Sequence, residues 1–149
     1  MEQLQPAGLL KRLMALVYDV FLIFAIWTVT LLVWGHLVPA PPLDGEQPIV
    51  LRNLLLVILV VEMWGFYAWF WMRGGQTLGM RAWRLQVRHY RGGPVKLWQT
   101  AARFLGACLS WGLFGAGYLV VLIAPHQTLH DRLSATATVE LPKKPKGKK

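Results

Sequence analysis

The sequence predicts an all-α membrane protein: a small transmembrane helical bundle with two full spans, a Gly-rich third apolar segment and a short cytoplasmic strand pair. Three observations predict it. Leu13 to Val38 is apolar almost throughout and exceeds the roughly 20 residues that cross a bilayer as a helix. Ile49 to Met72 is a second run of the same kind. The cations gather between Arg73 and Arg103 and again after His130, which are positive-inside signals.

The hydrophobic share is 55% and the mean hydropathy +0.40, too apolar for an ordinary soluble domain. The net charge is +9, from sixteen Lys and Arg against seven Asp and Glu. Because the cations flank apolar runs, the expected partner is anionic membrane lipid rather than nucleic acid. The single cysteine, Cys108, excludes an intramolecular disulfide and reads as a packing residue. The first span is too long for a signal-peptide core and no small-residue cleavage site follows it, so it is expected to stay in the mature protein.

Taken in order, Met1 to Leu10 is a short lead with a turn at Pro6-Ala7-Gly8, and Lys11 and Arg12 stand at the membrane surface. Trp34 suits an interfacial anchor near the far end of helix one, and Pro39, Pro41 and Pro42 stop that helix. Ala40 to Pro48 carries Asp44 and Glu46 but no Lys or Arg, so it is expected to face away from the cytoplasm. Helix two ends in an aromatic cluster of Phe66, Tyr67, Trp69, Phe70 and Trp71, which suits the inner interface. After the turn Gly74-Gly75-Gln76, Thr77 to Arg84 reads as a short interfacial helix, with Leu78 and Trp83 inward and its arginines at the headgroups. Leu85 to Arg88 alternates like a strand, and Arg91-Gly92-Gly93-Pro94 turns the chain.

Leu97 to Ala124 is apolar apart from Gln99 and Arg103. It is either a third span or a broken hairpin kinked around Ser110 to Gly117. The hairpin is preferred, because Thr136 to Leu141 also reads as a strand and pairs with Leu85 to Arg88 only if both lie on one side. Ala102 with Gly106, and Gly112 with Ala116, have the spacing of close helix contacts. Residues 1–141 form one transmembrane domain, and Pro142 to Lys149 is a disordered basic tail.

The candidate site is a set of charges inside apolar sequence, costly there without partners. Asp19 lies about 9 Å below the cytoplasmic surface, and Arg12 shares its helix face at a spacing of roughly 10 Å, too far for an ion pair. The partner of Asp19 must therefore come from elsewhere, and Arg103 or the Arg132 end is expected to supply it. Asp19 serves either as a proton or cation site or as a structural lock. Arg12 either snorkels to lipid phosphate or joins the same cluster. Asp131 either caps a short helix, receives Arg12, or closes the mouth of the site. Glu62, roughly 16 Å from Arg73 along helix two, is expected to face the bundle, with a proton relay to Asp19 as its functional reading. His130 and His126 are four apart, but no third ligand beyond Asp131 is evident, so no metal is expected. The lipid-headgroup candidates are Arg81, Arg84 and Arg88, with Lys143, Lys144, Lys146, Lys148 and Lys149 of the tail. No nucleophile with a base, phosphate loop or cofactor motif is present, so neither an enzyme nor a cofactor is expected.

Three pieces resemble one family. Lys11-Arg12-Leu13-Met14-Ala15-Leu16-Val17-Tyr18-Asp19 looks like the opening of the RDD family of bacterial membrane proteins. Gly75-Gln76-Thr77-Leu78-Gly79-Met80-Arg81 followed by Leu85-Gln86-Val87 looks like its post-helix turn and strand, and Thr128 to Thr136 like its closing motif. Arg12, Asp19 and Asp131 match the arginine and two aspartates that name the family. Met80 stands where the family usually has lysine, and Arg84 where it usually has glycine. The resemblance implies a multi-pass protein of the bacterial inner membrane, with amino terminus and tail cytoplasmic and transport in some members. Two functions follow as alternatives: a proton-coupled small-cation transporter or transporter subunit, oligomeric so as to enclose a path, or a non-transporting scaffold that binds anionic lipid or a protein partner.

Overall fold

The computed structural model describes residues 5–41, 45–112 and 128–142. Two long helices dominate: α1, Leu9–Leu37, and α2, Ile49–Arg73. Both are long and apolar enough to cross a membrane. Helix α1 begins four residues before the predicted Leu13, directly after Gly8, so Arg12 lies within it rather than at its mouth. Its end is closed by the Val38 amide donating to the Trp34 carbonyl at 2.8 Å, next to Pro39, which cannot continue the ladder. Helix α2 follows Pro48 and stops at Gly74. Its apolar side chains are exposed or half-buried within this chain, and only Ala68 and Trp71 are buried. In water that would be a large penalty; in a bilayer it is the expected outer surface.

The remaining elements build a small cap at one end of the two helices. They are β1 (Gln5–Pro6), α3 (Leu78–Ala82), β2 (Leu85–His89), α4 (Leu97–Gly112), α5 (Leu129–Leu133) and β3 (Thr136–Glu140). The sheet has the order β1-β3-β2 and is antiparallel throughout. Leu85 pairs with Glu140 and His89 with Thr136, so the predicted strand pair forms, one residue longer at His89 and ending at Glu140. The lead before helix one is not only a turn. Gln5 and Pro6 add a third strand against Glu140 and Val139, a pairing too short to show as a period in the sequence.

Two short units in this cap have the same construction. Thr77-Leu78-Gly79-Met80-Arg81 opens α3, and Thr128-Leu129-His130-Asp131-Arg132 opens α5. Each threonine hydroxyl accepts from the amide three residues on, Met80 or Asp131. Each helix lasts five residues and each leads through one left-handed residue, Arg84 (φ 55°) or Ala135 (φ 49°), into a strand. That backbone explains why glycine suits the Arg84 position. The shared pattern Thr-Leu-x-x-Arg is legible in the sequence once the two units are seen to be equivalent.

Helix α3 differs from expectation in what it buries. Gly79 and Met80 face inward, whereas Leu78 is exposed, because α3 lies with its backbone against α1. A Cβ on Gly79 would stand 2.2 Å from the Ala15 carbonyl oxygen. Helix α5 packs on α4 in a similar way: a Cβ on Gly106 would lie 3.1 Å from the Cβ of His130. The small residue at 106 thus admits α5, while Ala116 falls outside the described residues, as do the kink and return leg expected between residues 113 and 124. Gly79→Ala is expected to lower stability by about 1–3 kcal/mol through overpacking, read as a lower Tm of the detergent-purified protein.

Candidate functional site

The charged residues singled out from the sequence converge at the junction of α1, α4, α5 and the sheet, but in two separate groups. The first is centred on Asp131, which is fully buried. Its Oδ2 accepts from Arg12 Nη1 at 2.6 Å and from the Thr128 amide at 3.3 Å. Its Oδ1 accepts from Arg103 Nη1 and from Thr138 Oγ1, the latter at 3.1 Å. Four donors occupy the roughly four acceptor positions of one carboxylate. Asp131 therefore both caps α5 and receives Arg12, uniting two roles that the sequence left as alternatives.

The two arginines are tied down on their other sides. Arg12 Nε donates to the Ala7 carbonyl at 3.0 Å and Nη2 to the Thr138 carbonyl at 3.2 Å, so it joins the cluster rather than snorkelling. Arg103 donates to Thr136 Oγ1 at 2.6 Å and Thr138 Oγ1 at 3.0 Å, and its guanidinium lies 5.0 Å from the centroid of the Trp71 ring. Thr136 and Thr138 were missed in the sequence. Their signal is their alternation along β3, which aims both hydroxyls at the face where Arg103 arrives.

Burial opposes the charge on Asp131, but Arg103 and Arg12 outweigh it and hold its pKa well below the usual carboxylate range. The neighbouring His130 is driven the other way from a charged state. Burial, reinforced by the repulsion of Arg103, lowers its pKa to about 3, with Asp131 compensating only in part.

The second group holds Asp19, which is buried on α1. Thr77 Oγ1 donates to its Oδ2 at 2.6 Å and the Gly79 amide to its Oδ1 at 2.9 Å. The expected ion pair with Arg103 or the Arg132 end does not form among the described residues. Arg103 is taken up by Asp131, and the start of α3 reaches Asp19 with neutral donors instead. The prediction that its partner must come from beyond helix one holds.

Glu62 lies apart from both groups. It accepts from Thr30 Oγ1 at 2.6 Å, and Trp27 Nε1 donates to the Leu59 carbonyl at 3.0 Å, so these two contacts, about one turn apart, fasten α1 to α2 at one place. Of the headgroup candidates, Arg81 and Arg88 are exposed. Arg88 Nε donates to Gln86 at 2.6 Å. Arg84 instead lies 3.9 Å from Glu140, which also pairs with Lys11, because the left-handed backbone turns it toward the sheet. The five tail lysines and His126 lie outside the described residues. Among the described residues, no group of three His, Cys, Asp or Glu has a metal-holding arrangement.

Between α1, α2 and α4 lies a cavity of about 410 Å³. Asp19, Arg12 and Arg103 line it together with apolar Ile23, Phe24 and Phe104.

The RDD family profile matches residues 6–135. The chain belongs to the RDD family. The match runs from β1 through α5 and so takes in Arg12, Asp19 and Asp131 together. No curated protein and no solved structure is detectably similar to the chain. This RDD protein is thus placed in a membrane-protein family, in keeping with its two apolar helices.

Asp131→Asn should lower stability by about 3–5 kcal/mol, because it leaves two buried arginines without a carboxylate; chemical denaturation in detergent checks this. The His130 shift has a definite sign. Between about pH 6.5 and 3 the unfolded imidazole binds a proton that the folded one refuses, so stability falls as pH is lowered through that window, by up to about 1.4 kcal/mol per pH unit. Asp131 adds its own loss only below about pH 4, where the unfolded carboxyl protonates. Thermal melts from pH 7 to 4 should therefore show a shallower slope for His130→Asn than for wild type.

Proposed function

We propose that this RDD protein is a non-enzymatic scaffold or accessory protein of the inner membrane, whose basic cytoplasmic face engages anionic lipid. One observation carries the reading: the buried charges are satisfied by other parts of the same chain. Asp131 is saturated by Arg12, Arg103, Thr138 and its own cap, and Asp19 is held by Thr77 and Gly79. Asp131, with its four acceptor positions taken, locks elements together and has none left for a passing ion, and the two bonds of Asp19 tie α1 to α3. The exposed arginines are supported as the working surface by the positive-inside pattern and by the engagement of the nearby acids elsewhere. In this reading the chain before α4 and the chain from α5 onward lie on one side of the membrane; support comes from β2 and β3, which pair with each other.

The cavity supports a second reading, a proton-coupled small-cation transporter or a subunit of one, with Asp19 as the ion-binding carboxylate and Arg12 and Asp131 setting its charge state. Proton flux in proteoliposomes under sodium, potassium and lithium gradients separates the two. The scaffold reading expects no flux from wild type and a loss of about 1–3 kcal/mol of stability in Asp19→Asn, from the weakened contact with Thr77 and Gly79. Flux in wild type that vanishes in a still-folded Asp19→Asn protein would overturn it in favour of transport.

A further inference from the structure

The exposed cations near the end of α2 are not equivalent. Arg84 is drawn to Glu140 and Arg88 to Gln86. Arg73 and Arg81 are different: among the described residues neither guanidinium makes a hydrogen bond or ion pair, and both side chains are exposed. Yet Arg73 is held in place. Its guanidinium carbon sits 3.7 Å above the centroid of the Trp69 ring, one turn back on α2. Arg81 reaches the end of α2 from α3. Its Nη2 lies 4.0 Å from where a Cβ on Gly74 would stand, beside the Arg73 backbone.

No described acid is left to neutralise this pair. Asp19, Asp131 and Glu140 are bonded within the cap, Glu62 is bonded to Thr30, and Glu46 precedes the opposite end of α2. The site is also amphipathic. Trp69 is 53% exposed and Met72 38%, so an apolar surface adjoins two unneutralised guanidinium groups where a bilayer-length helix stops. Stacking on a ring leaves the N–H edges of a guanidinium available, and that edge matches the oxygens of a phosphate.

We propose that Arg73, Arg81 and the Trp69 ring form a binding site for the phosphate of an anionic phospholipid, the two arginines taking the phosphate oxygens and the indole lying beside the glycerol and first acyl carbons. This deepens the lipid-binding reading above and rests on it. Of the headgroup candidates in the folded cap it keeps Arg81, sets aside Arg84 and Arg88, and adds Arg73.

The test is native mass spectrometry of the full chain in detergent, titrated with phosphatidylglycerol or phosphatidylcholine, with inorganic phosphate as competitor. Wild type should retain one phosphatidylglycerol in preference to phosphatidylcholine. Arg73→Gln and Arg81→Gln should each weaken that retention about tenfold, since each removes a charge-assisted contact. Trp69→Leu should weaken it about threefold by freeing Arg73, while Arg88→Gln should leave it unchanged. All four changes are at exposed positions, and an unchanged Tm verifies folding. Loss of retention to millimolar phosphate would assign the site to free phosphate and overturn the lipid proposal. Equal effects of Arg73→Gln and Arg88→Gln would overturn the site while leaving a general basic face in place. Absence of any phosphatidylglycerol preference in wild type would overturn the lipid-binding reading itself.

Discussion

The Asp131 carboxylate is the constraint on which the rest of the cap depends. A buried carboxylate is tolerated only when charge and hydrogen bonds replace the water it has lost. Here the replacements come from three directions: Arg12 from the first long helix, Arg103 from α4, and Thr138 from the sheet. Elements far apart in sequence are therefore required to meet at one point. Removing Asp131 would strand two guanidinium groups inside the protein, whereas each of the other three supplies one of its bonds.

Asp19 solves the same problem with neutral donors. The hydroxyl of Thr77 and the amide of Gly79 stand at the opening of α3, the counterpart of the α5 opening that carries Asp131. The two Thr-Leu-x-x-Arg units thus deal with both buried aspartates. In one, the carboxylate belongs to the short helix itself and calls in two arginines. In the other, the carboxylate is delivered by α1 to the short helix. In both, close approach is allowed by a glycine: Gly79 against the α1 backbone and Gly106 against His130. The consumption of these charges inside the cap is also what leaves the outer arginines without acidic partners, so one economy of charge shapes both the interior and the surface.

Much of this organisation was legible in the sequence. The two long apolar helices follow from uninterrupted apolar length, because a bilayer demands internally bonded helices of that size. The strand pair follows from a two-residue period on either side of α4. Arg12, Asp19 and Asp131 are conspicuous because charge inside apolar sequence needs a partner, and Arg103 stands out in α4 for the same reason. The order of the three motifs identifies the family, and the match over residues 6–135 agrees.

What the sequence could not decide was pairing. Arg103 has the charge to meet either Asp19 or Asp131, and local spacing is silent about groups separated by 84 or 28 positions in the chain. The tertiary structure chooses Asp131, because α5 docks at Gly106 and carries that carboxylate to α4, while α3 docks on α1 and satisfies Asp19 first. It also turns Arg84 toward Glu140 through a left-handed backbone and leaves Arg73 and Arg81 without an acidic partner among the described residues. The sequence by itself determined that the chain has two helices long and apolar enough to cross a membrane and buried charges that need partners, since hydropathy and desolvation act residue by residue. Only the tertiary structure decided which charge meets which, since that depends on where short helices and strands bring distant side chains together.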